Sequence, residues 1–219
     1  GEGVMVMEKA GKRPFWRDLA VWGILVVLLA AMVIVVVMTP AEQSLGSGIK
    51  VVYVHVALIW TGMALMLVNG LVGLAEAALA RPFLERWRQA IGWVALGVFV
   101  LGVVVSLWAE QVNWGGVLWR EPRNLAVFNV TAVAIIAQVL AGWLPQWRWR
   151  GLFATGLAAY LLWEIPRTPL VMHPSDPVRT SNSMGIQTTF YGLFALSLGT
   201  AVWLIWYVLQ RQNEDSLAS

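Results

Sequence analysis

The sequence has no cysteine among its 219 residues. This absence excludes disulfide bonds, thiolate metal sites, iron–sulfur clusters and covalent haem attachment to this chain. Charged residues are also scarce, at 12% of the chain against about 25% in an ordinary soluble domain. A soluble fold could not bury the 59% of residues that are hydrophobic, and any bound metal must be held by side chains other than cysteine.

The hydrophobic residues form long runs, close to the roughly 20 residues with which an α-helix crosses the hydrocarbon core of a bilayer. The runs lack the period-two alternation of a membrane β-barrel, so helices are the predicted spanning structures. The sequence therefore predicts an all-α integral membrane protein, one domain over residues 1–219, formed by a bundle of six transmembrane helices. The predicted spans are residues 19–38, 51–79, 91–108, 125–144, 151–163 and 184–209.

The distribution of basic residues predicts the orientation. The segment before the first span and those after the second, fourth and sixth spans contain ten Lys and Arg residues, whereas the other loops contain five. Because Lys and Arg concentrate in cytoplasmic loops, both termini are predicted to be cytoplasmic. The net charge of +3 does not indicate nucleic-acid binding, since the basic residues flank spans instead of forming one basic face.

The chain has just two histidines, and this topology places both near the outer surface. His55 lies in the first turns of the second span, and His173 lies in the last outer loop. Two neutral imidazoles can coordinate a haem iron from opposite faces without any cysteine. The alternative is that His55 packs near a helix start while His173 lies in a solvated turn.

A seven-residue repeat along the second span predicts which way His55 points. His55, Gly62, Asn69 and Glu76 recur every seven residues, which is almost two whole helical turns. Polar and small residues on one stripe of a membrane helix are expected to face protein, so His55 is predicted to point inward. For Asn69 and Glu76 an ordinary packing seam, with Asn69 hydrogen-bonded to a neighbouring helix, is the preferred interpretation.

The segment from Glu110 to Asn124 is a loop by composition. Two adjacent glycines beside a tryptophan allow the backbone to approach a flat apolar ligand closely. Arginines in this loop could pair with haem propionates, although a solvated salt pair of Arg120 with Glu121 and simple interfacial anchoring by tryptophan are alternatives. The candidate binding residues in this loop are Trp114, Gly115, Gly116, Trp119, Arg120, Glu121 and Arg123.

Three blocks of the sequence resemble one known family. The run Lys50 to Trp60 has a basic residue, an apolar pair, an aromatic residue, a histidine and a tryptophan five residues after it. The segment Trp114 to Arg123 opens with Trp-Gly and closes with Glu-Pro-Arg, and His173 precedes the last span. Together these blocks resemble the haem-handling cytochrome c assembly proteins of the cytochrome c maturation protein C type.

The resemblance implies a haem-binding and delivery protein, not an enzyme, in the prokaryotic cytoplasmic membrane. His55 and His173 would be the axial ligands of a non-covalent haem b, the Trp114 to Arg123 loop would form the platform, and Tyr53 and Trp60 would be further haem-binding residues. Haem would be presented outside for transfer to a periplasmic haem chaperone, in company with other membrane subunits of cytochrome c maturation.

Some positions depart from the family pattern. Val117 and Leu118 stand where the family has two tryptophans, Glu121 replaces an aspartate, and Ala57 replaces a proline. The chain could therefore be a divergent transfer protein, or one that retains its haem as a subunit of an electron-transfer complex. Further alternatives are a transmembrane cytochrome b, a haem-free transporter or channel, and a structural subunit without a cofactor.

Overall fold

The computed structural model describes residues 15–39, 41, 45–169, 171 and 183–218, and the elements in these residues are α-helices. Long apolar runs form helices because a helix satisfies its own backbone hydrogen bonds, as a bilayer requires. The helices are α1 (Phe15–Met38), α2 (Ile49–Leu79), α3 (Pro82–Trp114), α4 (Pro122–Trp143), α5 (Trp147–Arg167) and α6 (Met184–Ala218).

Five of these helices, α1, α2, α3, α4 and α6, are long and apolar enough to cross a membrane. The remaining helix, α5, has 21 residues, and its charged residues lie near its two ends, outside the apolar stretch 151–163. By length and composition this is a multi-pass helical membrane protein, which confirms the predicted all-α class. The predicted spans are close to the helices but consistently shorter.

The helices run antiparallel and give the bundle two distinct ends. The Oγ1 atoms of Thr39 and Thr189 are 3.4 Å apart, which places the end of α1 beside the start of α6. Arg86 donates to Asn213 over 2.5 Å, which places the start of α3 beside the end of α6. We name the two ends by their helix termini. The loop end contains the ends of α1, α3 and α5 and the starts of α2, α4 and α6, and the basic end contains the opposite termini.

The central helix is α2, which packs against α3, α5 and α6. Its glycines allow close backbone contact: a Cβ atom on Gly62 would lie 2.8 Å from the Cα of Phe99, and one on Gly73 would lie 2.5 Å from the carbonyl oxygen of Gly151. Small residues at such contacts are typical of membrane helices, whose association depends on close van der Waals packing. By contrast, α1 lies at the periphery and exposes most of its apolar side chains.

The contacts between α2 and α3 keep a constant register. Moving seven residues along α2 corresponds to moving seven residues back along α3. The facing pairs are Gly48 with Asn113, Gly62 with Phe99, and Asn69 with Gly92. This register places His55 opposite Ser106. Because each facing pair contains a glycine, the two helices approach closely, and their register positions the polar residues at both ends of the bundle.

The predicted loop from Glu110 to Asn124 is wrong in extent. α3 continues to Trp114, so Glu110 and the four residues after it are helical, and only residues 115–121 connect α3 to α4. The polar residues that indicated a loop are instead accommodated by tertiary hydrogen bonds. Asn113 donates to the carbonyl oxygen of Gly48 over 3.3 Å and to that of Ala109 over 2.8 Å.

Candidate functional site

The short connection between α3 and α4 lies at the loop end and begins with a glycine cap. Gly115 has φ of 74°, a left-handed conformation that a residue without Cβ adopts at little cost, and its N–H donates to Gln111 O over 3.1 Å. A Cβ on the following Gly116 would meet no atom within 4 Å. The first glycine therefore ends α3, whereas the second leaves open space above the backbone.

Glu110 anchors this connection from inside the bundle. Its side chain is only 3% exposed, and both carboxylate oxygens accept hydrogen bonds. The N–H of Leu118 donates over 2.8 Å and the side-chain amide of Asn124 over 2.6 Å. Asn124 also donates to Leu118 O over 3.0 Å. Sequence reasoning did not single out Glu110, although an ionisable residue at the edge of an apolar span was a signal that could have identified it.

Glu121 closes the connection as the N-cap of α4. Its Oε2 accepts from the N–H of Asn124 over 3.0 Å, and Pro122 occupies the first helical position. An acidic cap followed by proline is a strong helix start, because the cap satisfies a free N–H and proline lacks one. Glu121, a predicted haem-binding residue, is therefore buried and holds the shape of the connection.

The outer surface of the connection is apolar and open. Trp119 is 62% exposed and its ring centroid lies 6.3 Å from that of Phe128. Arg120 is also exposed. These residues border a shallow depression of about 480 Å³. It is lined by Leu118, Trp119, Arg120, Glu121, Pro122 and Val171.

Val171 is two residues before His173 in the sequence. Val171 itself borders the α3–α4 connection. His173 itself lies outside the described residues. Its predicted role as a ligand remains a prediction, and Val171 is the nearest preceding residue that the structure describes.

His55 is half-buried on the face of α2 that is directed toward α3. The other three residues of its seven-residue stripe, Gly62, Asn69 and Glu76, are buried, as the stripe predicts. Ser106, which the register places opposite His55, precedes Glu110 by one helical turn. His55 thus lies in the part of the bundle nearest the loop end, one turn below the anchor of the α3–α4 connection.

Tyr53 and Trp60, the other predicted haem-binding residues on α2, pack against α6. Tyr53 is buried in a cluster with Phe190 and Leu193, and the ring of Trp60 meets Phe190 edge to face with centroids 5.5 Å apart. On an α-helix both positions are more than a quarter turn away from the face that carries His55. The structure therefore does not group them with the α3–α4 connection.

The two remaining predicted residues lie at the edges of the connection. Trp114 is the last residue of α3 and is exposed. Arg123 is half-buried, and its Nη1 donates to Ile165 O at the end of α5 over 3.4 Å. Arg123 thereby ties the start of α4 to α5, and Arg120 is the arginine of this loop whose side chain is exposed.

The basic end contains a second polar group that sequence reasoning treated as ordinary. Arg88, counted as a loop cation, is buried in α3 and donates to Glu76 over 2.5 Å. The amide oxygen of Asn69 has no hydrogen-bond partner among the described residues, so the predicted bond to a neighbouring helix is not found for this atom. Nor do the described residues contain a group of three or more His, Asp or Glu that could hold a metal ion.

No protein-family model matches the chain, and no curated protein matches it either.

Proposed function

We propose that this protein binds haem b at the loop end of a six-span bundle, through His55 and His173, and presents it at the outer face of a prokaryotic cytoplasmic membrane for transfer to a periplasmic haem chaperone. One observation carries the proposal. The α3–α4 connection, the start of α2 with His55, and Val171 two residues before His173 all belong to the same end of the bundle.

The described residues suit a flat, largely apolar molecule with acidic edges. The depression beside Trp119 is open and mostly apolar, and its volume of about 480 Å³ lies within the usual range for small-molecule sites. The exposed guanidinium of Arg120 at its border offers a planar fork to a propionate carboxylate. Apolar surface and one exposed cation together fit the two chemical features of the haem periphery.

In this proposal the α3–α4 connection and the two histidines have different roles. Glu110, Asn124 and Glu121 fix the backbone from inside, so Trp119 and Arg120 are held on its outer side without rearrangement. His55 supplies a ligand from a helix that is locked to α3, whereas His173 supplies one from a loop. An imidazole on a loop can leave its ligand position more readily than one on a packed helix, which favours release of a cargo toward a partner.

The orientation rests on the basic end. Arg81, Arg86, Arg148, Arg150 and Arg211 lie at or near helix termini of that end. By the positive-inside rule the basic end faces the cytoplasm and the loop end faces outward. A haem chaperone and the other membrane subunits of cytochrome c maturation would then meet the protein at the loop end.

An absorption spectrum of the detergent-purified protein after addition of haem tests the binding. The wild type is expected to give the spectrum of a six-coordinate, bis-histidine haem, and His55→Ala and His173→Ala are each expected to lose it. Asn129→Ala, a change at an exposed residue two turns into α4, is the control and should leave the spectrum unchanged. Equal haem signals per protein in the wild type and both histidine variants would refute the axial assignment.

Transfer is tested separately with apomyoglobin as a haem acceptor. The haem-loaded wild type is expected to lose haem to excess apomyoglobin within minutes to hours, and His173→Ala to lose it at least about tenfold faster, because removal of one coordinate bond weakens retention. Haem that stays with the wild-type protein throughout would contradict delivery and indicate a retained cofactor.

A further inference from the structure

The basic end contains an ion pair that the proposed function does not use. Glu76 lies in the last turn of α2 and Arg88 in the second turn of α3, and both side chains are only 1% exposed. The Nε of Arg88 donates to Glu76 Oε2 over 2.5 Å. A guanidinium has five N–H donors and a carboxylate has two acceptor oxygens, so this single bond uses a small part of their capacity.

Several atoms of this cluster have unmet hydrogen-bonding capacity. Within the described part of the chain, Nη2 of Arg88, Oε1 of Glu76 and Oδ1 of Asn69 are buried without a hydrogen-bond partner. Buried polar groups in proteins nearly always form hydrogen bonds, and an exception indicates a position where a water, ion or ligand can bind. The donor on Arg88 is the one that carries a formal positive charge.

Arg88 also lines a cavity of about 290 Å³ between α3 and α4. The cavity contains further amide groups from Gln89 and Gln138, and it is bordered by Trp93 and Trp143. These two tryptophans are 54% and 78% exposed, so the cavity opens sideways on the surface of the bundle. An opening on the side of the bundle is accessible to lipid molecules of the bilayer.

The depth of the cavity matches the headgroup region. Arg88 is six residues from the start of α3 and Gln138 is five residues from the end of α4, which at 1.5 Å per residue is within about 10 Å of the helix ends. Because α3 has 33 residues and is longer than the hydrocarbon core requires, its first turns are expected to lie among the lipid headgroups. Exposed tryptophans are typical of the same level.

The chemistry of the lining selects an anion. The guanidinium donates and cannot accept, while the carboxylate of Glu76 lies on α2 and occupies the Nε side of Arg88. We infer that this cavity binds the phosphate group of an anionic phospholipid from the leaflet at the basic end, with Arg88 and Gln138 as donors. Exposed arginines around this end add attraction for anionic lipid over a headgroup that carries its own ammonium.

Native mass spectrometry of the detergent-solubilised protein tests this site. The protein is titrated with phosphatidylglycerol or with phosphatidylcholine of the same acyl chains, and the bound lipid is counted. Wild type is expected to bind the first phosphatidylglycerol about tenfold more tightly than phosphatidylcholine, because phosphatidylcholine has the same phosphate and also an ammonium group that the exposed arginines at this end repel. Gln138→Leu removes a donor to the phosphate and should weaken phosphatidylglycerol binding severalfold, and Gln146→Leu, at the same end but outside the cavity, should retain it.

A second variant fills the cavity without touching its polar groups. A Cβ on Gly142, which lines the cavity, would meet no atom within 4 Å, so Gly142→Leu should fold and exclude the lipid. The paired change Glu76→Gln with Arg88→Gln should also weaken phosphatidylglycerol binding while leaving no single buried charge.

Three outcomes would overturn the inference. Equal binding of the two lipids by the wild type would contradict the charge selectivity, and unchanged phosphatidylglycerol binding by Gly142→Leu would locate the site elsewhere. Competition by inorganic phosphate as effective as phosphatidylglycerol itself would show a free-anion site instead of a lipid site. None of these results depends on haem, because the cavity and the α3–α4 connection are at opposite ends of the bundle.

Discussion

Each end of the bundle buries one glutamate of a long helix, and the two carboxylates are stabilised by different means. At the loop end, both oxygens of Glu110 accept hydrogen bonds from uncharged donors, one of them a backbone N–H. At the basic end, one oxygen of Glu76 pairs with Arg88 and the other has no partner among the described residues. The first arrangement is locally satisfied, whereas the second keeps unused capacity.

The difference indicates what each end is built to do. The satisfied network around Glu110 fixes a seven-residue connection in one shape and leaves its outer side free for an external ligand. The incompletely satisfied pair at the basic end borders a cavity, where a ligand can supply the missing acceptor. The proposed haem site therefore rests on a rigidly supported surface, whereas the proposed lipid site rests on unused hydrogen-bonding capacity beside a cavity.

The largest expected effect comes from breaking the ion pair. Glu76→Ala leaves the Arg88 guanidinium buried and uncompensated, which should lower the free energy of unfolding by about 3–5 kcal/mol. Thermal unfolding in detergent measures the change. Adding Arg88→Met should recover most of the loss, because the pair is then replaced by apolar side chains. A single variant as stable as the wild type would show that the two residues do not form a buried pair.

A glycine at each end gives the next comparison. Gly151→Ala would push a methyl group into the backbone of Gly73, so overpacking should cost about 2–3 kcal/mol of stability. Gly116→Ala should be close to neutral, since its Cβ enters open space. The same unfolding measurement applies to both. Equal effects of the two changes would contradict the close contact between α2 and α5.

A smaller effect is expected from weakening the loop-end network. Glu110→Gln replaces one carboxylate oxygen with an amide N–H, which then faces the N–H of Leu118 or the side-chain amide of Asn124. The loss of this hydrogen bond should lower the free energy of local opening of the connection by about 1–2 kcal/mol. Hydrogen–deuterium exchange of residues 115–121 should accelerate. Glu164→Gln is the control, because it is the same substitution at a half-buried residue near the end of α5. Unaltered exchange in Glu110→Gln would show that the connection does not depend on this carboxylate.

The smallest effect on stability, and the most informative for function, is expected at Trp119. Because its side chain is 62% exposed, Trp119→Ala should change the free energy of unfolding by less than about 0.5 kcal/mol. Haem loss to apomyoglobin should nevertheless become severalfold faster if the tryptophan covers the ligand. Trp149→Ala, an exposed tryptophan at the basic end, should alter neither quantity.

Much of the fold could be predicted because its signal is local. The apolar run of residues 19–38 contains too few polar residues for anything except a long apolar helix. The structure has such a helix there, and α1 ends at Met38 as predicted. Helix ends were predicted less well. Polarity alone assigns Glu110 and Arg88 to loops, yet both are buried on α3, where they form hydrogen bonds with partners on α2, on α4 and in the connection.

The candidate site was predictable to a similar degree. The inward direction of the α2 stripe follows from its seven-residue spacing, and Gly62, Asn69 and Glu76 are buried accordingly. Tyr53 and Trp60 lie on other faces of α2 than His55 and pack against α6, and their role in haem binding stays a prediction. No pattern in the sequence predicts the cavity beside Arg88.

By itself the sequence determined the membrane class, the approximate positions of the helices and the uneven distribution of positive charge, because each follows from the hydrophobicity and charge of short segments. Only the tertiary structure decided which polar residues are satisfied and which are not. That outcome depends on the register of α2 against α3 and on the gap between α3 and α4, and these are set by contacts between residues far apart in the chain.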